Sequence, residues 1–166
     1  MKMIKNNKDE SKNIYSLPFD STLELKPEPA PAHYKSMKNC LDFAMPEGTP
    51  VLAAFDGEVI EVVCKFVNGG GDEFLRPKAN LIRLKHENDE YSEYVHLKYK
   101  GANVEVGQKV KQGDLIGYSG STGFSTYPHL HFGVYRLNLE EKVEYVLVRI
   151  DVDGKIDVFK SPDYNR

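Results

Sequence analysis

Residues 117–135 read GYSGSTGFSTYPHLHFGVY. The first half is a run of small, turn-forming residues; the second, HLHFGVY, alternates. A strand sends successive side chains to opposite faces. His129 and His131 therefore leave together on one face, while Leu130 and Phe132 leave on the other, toward a core. Two imidazoles on a polar strand face behind a glycine-rich loop suit a metal or acid–base site. They also suit a solvated strand face, so the rest of the chain must decide.

The same strand-and-turn pattern extends outward. Upstream, GANVEVGQKVKQGDLIGY (101–118) sets short apolar positions between glycines, which predicts short strands joined by tight turns. Lipoyl and biotinyl carrier domains share that local pattern. They need a lysine at a central hairpin tip, and the one MKM stands at residues 1–3. Tyr91–Leu97 and Asn80–His86 read as strands joined by a turn at HENDE. Asp56-Gly57 is a hairpin signal joining Val51–Ala54 to Glu58–Phe66. Leu41–Ala44 predicts a strand ending at a Pro46-Glu47-Gly48 turn. Residues 68–80, NGGGDEFLRPKAN, are expected as a flexible excursion long enough to rim a cleft.

Downstream, Val143–Asp151 and Lys155–Phe159 predict strands around an Asp153-Gly154 turn. DVDG is like the start of a calcium loop, but Pro162 stands where the terminal glutamate belongs. The prolines of KPEPAPAH (26–33) favour an extended path into His33. Residues 1–14, polar and lysine-rich, are expected as a flexible tail before a single domain over 15–166. No long amphipathic helix is evident. The expected class is all-β, a compact curled antiparallel sheet or two-sheet β-sandwich with a cleft rimmed by loops.

Composition bounds the function. A chain of 166 residues can bury one real core. The formal net charge of −3, with no long basic block, argues against a nucleic-acid partner. No apolar run approaches the ~18 residues of a transmembrane helix. The first residues carry charge but no apolar core of a secretory signal. Cys40 and Cys64 are expected as isolated thiols, not a disulfide framework.

Of five histidines, 33, 86, 96, 129 and 131, four flank polar loops. Asp42 sits between Leu41 and Phe43. Burying it unpaired would be expensive, and a metal would supply the partner. Zinc accepts imidazole nitrogen and carboxylate oxygen and keeps a position for water in catalytic sites. His33, Asp42 and one histidine of the HxH pair suit three ligands. His96 and the other HxH member then suit proton transfer and oxyanion stabilisation. His86 is expected to have a surface role near its turn. Tyr94, two before His96, is expected on the same strand face, placing substrate or the oxyanion, or packing beside them. Ser119, Ser121, Thr122 and Ser125 lack a nucleophile-elbow context and read as loop-shaping groups.

Three blocks together resemble the lysostaphin/LytM-type zinc endopeptidases, the M23 peptidase family. They are His33 to Val59 with FAMPEGTPVLAAFDGEV, YSEYVHL (91–97), and VEVGQKVKQGDLIGYSGSTGFSTYPHLHFGV (104–134). The resemblance implies zinc as cofactor, with His33, Asp42 and His131 as ligands and His96 and His129 in catalytic roles. It implies peptidoglycan stem peptides or cross-bridges as substrate, in the periplasm, cell envelope or outside the cell, and the expected state is a monomer. The commoner first motif is H-x3-D, but Lys38 stands four before Asp42. The H-x8-D spacing resembles a branch with a loop between the ligands. Two readings compete: a non-catalytic LytM-like binding or regulatory domain, and a zinc peptidase acting on a non-wall protein. Intact His96 and His129 speak against the first.

Overall fold

The computed structural model describes residues 7–33 and 35–162. The strands are β1 (Glu10–Tyr15), β2 (Leu41–Ala44), β3 (Pro50–Leu52), β4 (Gly57–Val63), β5 (Gly69–Gly70), β6 (Leu81–Lys85) and β7 (Tyr91–Val95). They continue with β8 (Leu97–Ala102), β9 (Lys109–Val110), β10 (Leu115–Ser119), β11 (Gly123–Phe124), β12 (His129–Leu137), β13 (Val143–Val152) and β14 (Lys155–Phe159). Only short 3-10 turns interrupt them among the described residues, and no helix there is long and apolar enough to cross a membrane. The chain is all-β, as its alternation predicts.

The main sheet runs β1-β13-β12-β7-β6-β4-β9, with β14 on β13 and β2 on β12. Its pairings are antiparallel except β1 on β13. β12 is the axis. Its first half pairs with β2, its second half with β13, and β7 lies along its other edge. Alternation along these strands sorts the two faces. Leu130, Phe132 and Val134 join Leu41, Phe43, Ile82, Leu84 and Tyr94 in the core. A second sheet, β3-β10-β8, adds Val51, Ile116 and Leu97 to the same cluster. The opposite face of β12 carries His129 and His131, registered against Ala44 and Asp42 of β2.

Three expectations are corrected. The tail expected over 1–14 holds strand β1 from Glu10 onward, and residues 1–6 lie outside the described residues. A distant carboxylate anchors this strand: buried Glu90 accepts from the Lys12 and Asn13 amides at 2.7 and 3.0 Å and from the Tyr15 hydroxyl. Arg136 forks onto the same carboxylate. His86 is also no surface residue. It is buried against Tyr15 and Phe55, with Nδ1–H donating to the Asp56 carbonyl and Nε2 accepting from Ser92. Finally, the excursion over 68–80 is ordered. β5 pairs with β11, and a 3-10 turn over Glu73–Lys78 is capped by the Asp72 side chain. Both cysteines are free thiols, Cys40 buried and Cys64 partly so.

Candidate active site

Asp42 enters the site because its strand neighbours do not. Leu41 and Phe43 fill the core, so Asp42 must face the other way, directly opposite His131. His33 arrives from the proline-rich approach and turns its ring edge-on to His131. Three atoms then converge. His33 Nε2 lies 3.3 Å from Asp42 Oδ1, His131 Nδ1 lies 3.3 Å from the same oxygen, and the two nitrogens are 3.1 Å apart. The H-x8-D spacing thus delivers its histidine.

The far nitrogens decide the tautomers. His33 Nδ1 faces the Cys40 carbonyl at 3.3 Å, and a carbonyl can only accept, so Nδ1 carries the proton and Nε2 turns a lone pair inward. His131 Nε2 donates to Glu93 Oε1 at 3.2 Å, which commits Nδ1 to the cluster. Asp42 Oδ1 is buried, and no hydrogen bond of acceptable angle reaches it. Three electron-rich atoms at such separations need a cation among them. A proton on His131 is one answer: burial would lower its pKa, but Cys40, Asp42 and Glu93 outweigh burial and hold it well above its usual value. A metal ion is the other. Zinc bonds of about 2.0–2.1 Å at tetrahedral angles set ligand atoms about 3.3 Å apart, which is the spacing found. The residues present fit a tetrahedral ion with one position left open.

Burial would raise Asp42, yet the positive charge available on His131, then on His33 and His129, holds it at about 2. Burial followed by His131 pulls His33 down to about 4. A second cluster, Cys40, Glu93 and His131, is a poorer ion site. Burial pushes the Cys40 thiol to about 11, and Glu93 already accepts from His131, Tyr145 and Arg83.

His96 and His129 stand beside this cluster, ring centroids 4.6 Å apart. His129 Nδ1–H donates to the Tyr127 carbonyl at 2.8 Å, and its Nε2 lies 3.6 Å from Asp42 Oδ2. His96 Nδ1–H donates to the Thr122 carbonyl at 2.6 Å. Burial, then His129 and His131, lower His96 to about 3, so its Nε2 is an unprotonated acceptor at neutral pH. The Thr122 hydroxyl fixes this carbonyl, accepting from the Asn80 amide and donating to the Leu97 carbonyl. Gly120 permits the close approach, since a Cβ there would stand 2.5 Å from the Lys98 nitrogen.

All five polar residues line one groove of about 410 Å³. Arg76, Pro77 and Ala79 of the 68–80 excursion form part of its wall, as do Phe124, Ser125, Thr126 and Tyr127 of the glycine- and serine-rich loop.

Tyr94 is not there. β7 ends at Val95, and His96 takes a left-handed backbone at φ 68°. That turn swings the imidazole back to the groove and breaks the two-residue parity that tied it to Tyr94. Tyr94 points into the core against Phe132, its hydroxyl accepting from the Ala54 amide. On the groove face of β7, Val95 lies opposite His131 and Glu93 opposite Gly133; Glu93, with Tyr145 and Arg83, is the part of the site that sequence reasoning missed. The available signal was a carboxylate between Ser92 and Tyr94 in a strand, the pattern that drew notice at Asp42.

The sequence profile of Peptidase family M23 matches residues 36–144. The glycyl-glycine endopeptidase ALE-1 of Staphylococcus capitis is 45% identical over 92 residues, 55% of this chain and 23% of that protein. The peptidoglycan DD-endopeptidase ShyA of Vibrio cholerae is 39% identical over 94 residues, 57% of this chain and 19% of that protein. A crystal structure of a zinc-containing peptidase from Vibrio cholerae shares the fold with a TM-score of 0.55 at 26% identity, over 88% of this chain and 41% of that one. The matched stretches thus span roughly a fifth of these curated relatives.

Proposed function

The chain belongs to peptidase family M23, and on that premise we propose that it is a zinc endopeptidase hydrolysing peptide bonds of peptidoglycan. One observation carries the reading. Three inward lone pairs at tetrahedral spacing share a groove with two further imidazoles whose Nδ1 protons are tied to backbone carbonyls. ALE-1 and ShyA, by their names, cut glycyl-glycine bonds and peptidoglycan, which supports cell-wall peptides as the substrate class and a site of action outside the cytoplasm. The neighbouring solved structure contains zinc, which supports that ion over others.

His33, Asp42 and His131 would hold the zinc. When bound, zinc supplies Lewis acidity toward the scissile carbonyl and toward water. The chain's own residues do the rest. Hydrolysis takes one proton from water and gives one to the departing amine. His129 and His96 both present an acceptor Nε2, so either takes the first proton, and the resulting imidazolium holds a donor for the amine or the oxyanion. Fixed carbonyl partners keep both rings from turning during the exchange. The groove walls, Arg76 to Ala79 and Phe124 to Tyr127, bracket an extended peptide across the histidines.

Metal analysis of metal-replete protein should give about one zinc per chain. Purified sacculi should release new amino termini, and His129→Ala should abolish that release while retaining zinc. Protein without zinc would sink the reading, and full activity in His129→Ala would remove that residue from the machinery.

A further inference from the structure

We propose that Glu93 is the positioning residue that aims the His131 imidazole at the metal, and that Tyr145 and Arg83 lock Glu93 in turn; this rests on the zinc reading of the site.

Register and packing carry it. Glu93 pairs with Gly133 on β12 and shares the face of His131, two residues away. It is 3% exposed, and a buried carboxylate persists only where donors satisfy it. Oε1 accepts from His131 Nε2 at 3.2 Å and from the Tyr145 hydroxyl at 2.7 Å, and Oε2 accepts from Arg83 Nε at 3.3 Å. Arg83 is itself braced by Glu61. The Tyr145 contact depends on a missing side chain. A Cβ at Gly133 would stand 3.0 Å from Tyr145 Cε1 and 3.1 Å from Cys40 Sγ. Glycine there lets the tyrosine ring cross β12 and reach Glu93.

The consequence falls on His131. An imidazole can turn over and present either nitrogen. A fixed acceptor at Nε2 leaves only Nδ1 for the ion, and an acceptor of this kind also strengthens the ligand. The other ligating imidazole, His33, has a backbone carbonyl in this role. His131 alone relies on a side chain, so its aim can be removed by substitution. The conservative replacement is built into the geometry: a glutamine keeps Oε1 for His131 and Tyr145 and loses only Arg83, which retains Glu61.

The test measures zinc affinity of the full chain by competition with a chromophoric chelator. Glu93→Ala should bind zinc about 10–100-fold more weakly than wild type, and Glu93→Gln should recover most of that loss. Equal affinity of wild type and Glu93→Ala overturns the proposal, as does a Glu93→Gln protein as weak as Glu93→Ala. A wild type that binds no zinc overturns both this and the function proposed above, whereas tight zinc in wild type and Glu93→Ala alike overturns this alone. Should Glu93→Ala fail to fold, nitrogen-15 NMR of zinc-loaded wild type decides. The proton of His131 must reside on Nε2, and its presence on Nδ1 refutes the assignment.

Discussion

Replacing Tyr94 by Phe separates two accounts of one residue. On the strand-parity reading its hydroxyl would face the oxyanion, and losing one such donor costs roughly 10²–10³ in kcat. The structure puts it elsewhere. Tyr94 is fully buried on the core face, its hydroxyl accepting from the Ala54 amide at 2.9 Å and bonded to Ser92 Oγ at 2.9 Å. Phenylalanine fills nearly the same volume, so no large cavity opens. The Ala54 amide loses its hydrogen-bond acceptor, and an orphaned buried donor costs about 1–3 kcal/mol. For a chain of this size that lowers Tm by ~2–12 °C. The assay pairs a thermal melt with initial rates of amino-terminus release from sacculi, measured well below the lowered Tm with zinc present. The expected result is reduced Tm and a kcat within about twofold of wild type. A tenfold or larger fall in kcat with unchanged Tm would refute the core placement.

Three further outcomes follow from other contacts. Thr122→Val should cost about 1–3 kcal/mol by orphaning the Asn80 amide; it should also lower kcat by loosening the carbonyl that holds His96, with zinc content unchanged on metal analysis. Glu90→Gln removes a fully buried charge from beneath Arg136 and β1 and should cost about 3 kcal/mol, with amide exchange accelerated first at Lys12 and Asn13. In the metal-free protein, burial keeps His33, His86 and His96 neutral, with pKa values lowered to about 4 for His33 and about 3 for His96. Their contribution is present above the unfolded value of ~6.5 and is lost as pH falls below it. His131, shifted upward, is charged in both the folded and the unfolded chain below ~6.5, so its contribution there is fully present and adds almost no slope. His33 and His96 alone give a loss approaching ~2.7 kcal/mol per pH unit between about pH 6 and 5, and His86 adds to it in the same direction, read from urea midpoints; a flat profile would reject neutral burial of these rings.

What was legible in the chain follows from what is local. Two-residue alternation exposed β12 and the strands beside it, and the placement of Asp42 between Leu41 and Phe43 marked a carboxylate with nowhere apolar to go. Asp-Gly and glycine punctuation located the hairpins. The failures are contacts between distant segments. β1 is held by Glu90, some 75–78 residues away in sequence, so a polar, lysine-rich stretch looked like a tail. His86 looked exposed because the residues that follow it, ENDE (87–90), are polar, yet its partners Tyr15 and Phe55 come from elsewhere. Tyr94 was misplaced by one backbone dihedral, since no residue type announces a left-handed histidine.

The two histidines of HLHF now differ for a stated cause. Side-chain parity puts both on one face but does not say which nitrogen each presents. That is decided behind the rings. Tyr127 offers His129 a carbonyl at Nδ1, which sends Nε2 forward into the groove. Glu93 offers His131 a carboxylate at Nε2, which sends Nδ1 forward to Asp42 and His33. Reaching out by Nε2 suits a group that exchanges protons with a substrate. Reaching by Nδ1, the nitrogen nearer the backbone, suits a ligand held close to its own strand and to β2. A histidine pair two residues apart can therefore hold an ion with one ring and work on a peptide with the other, without both rings competing for the same place.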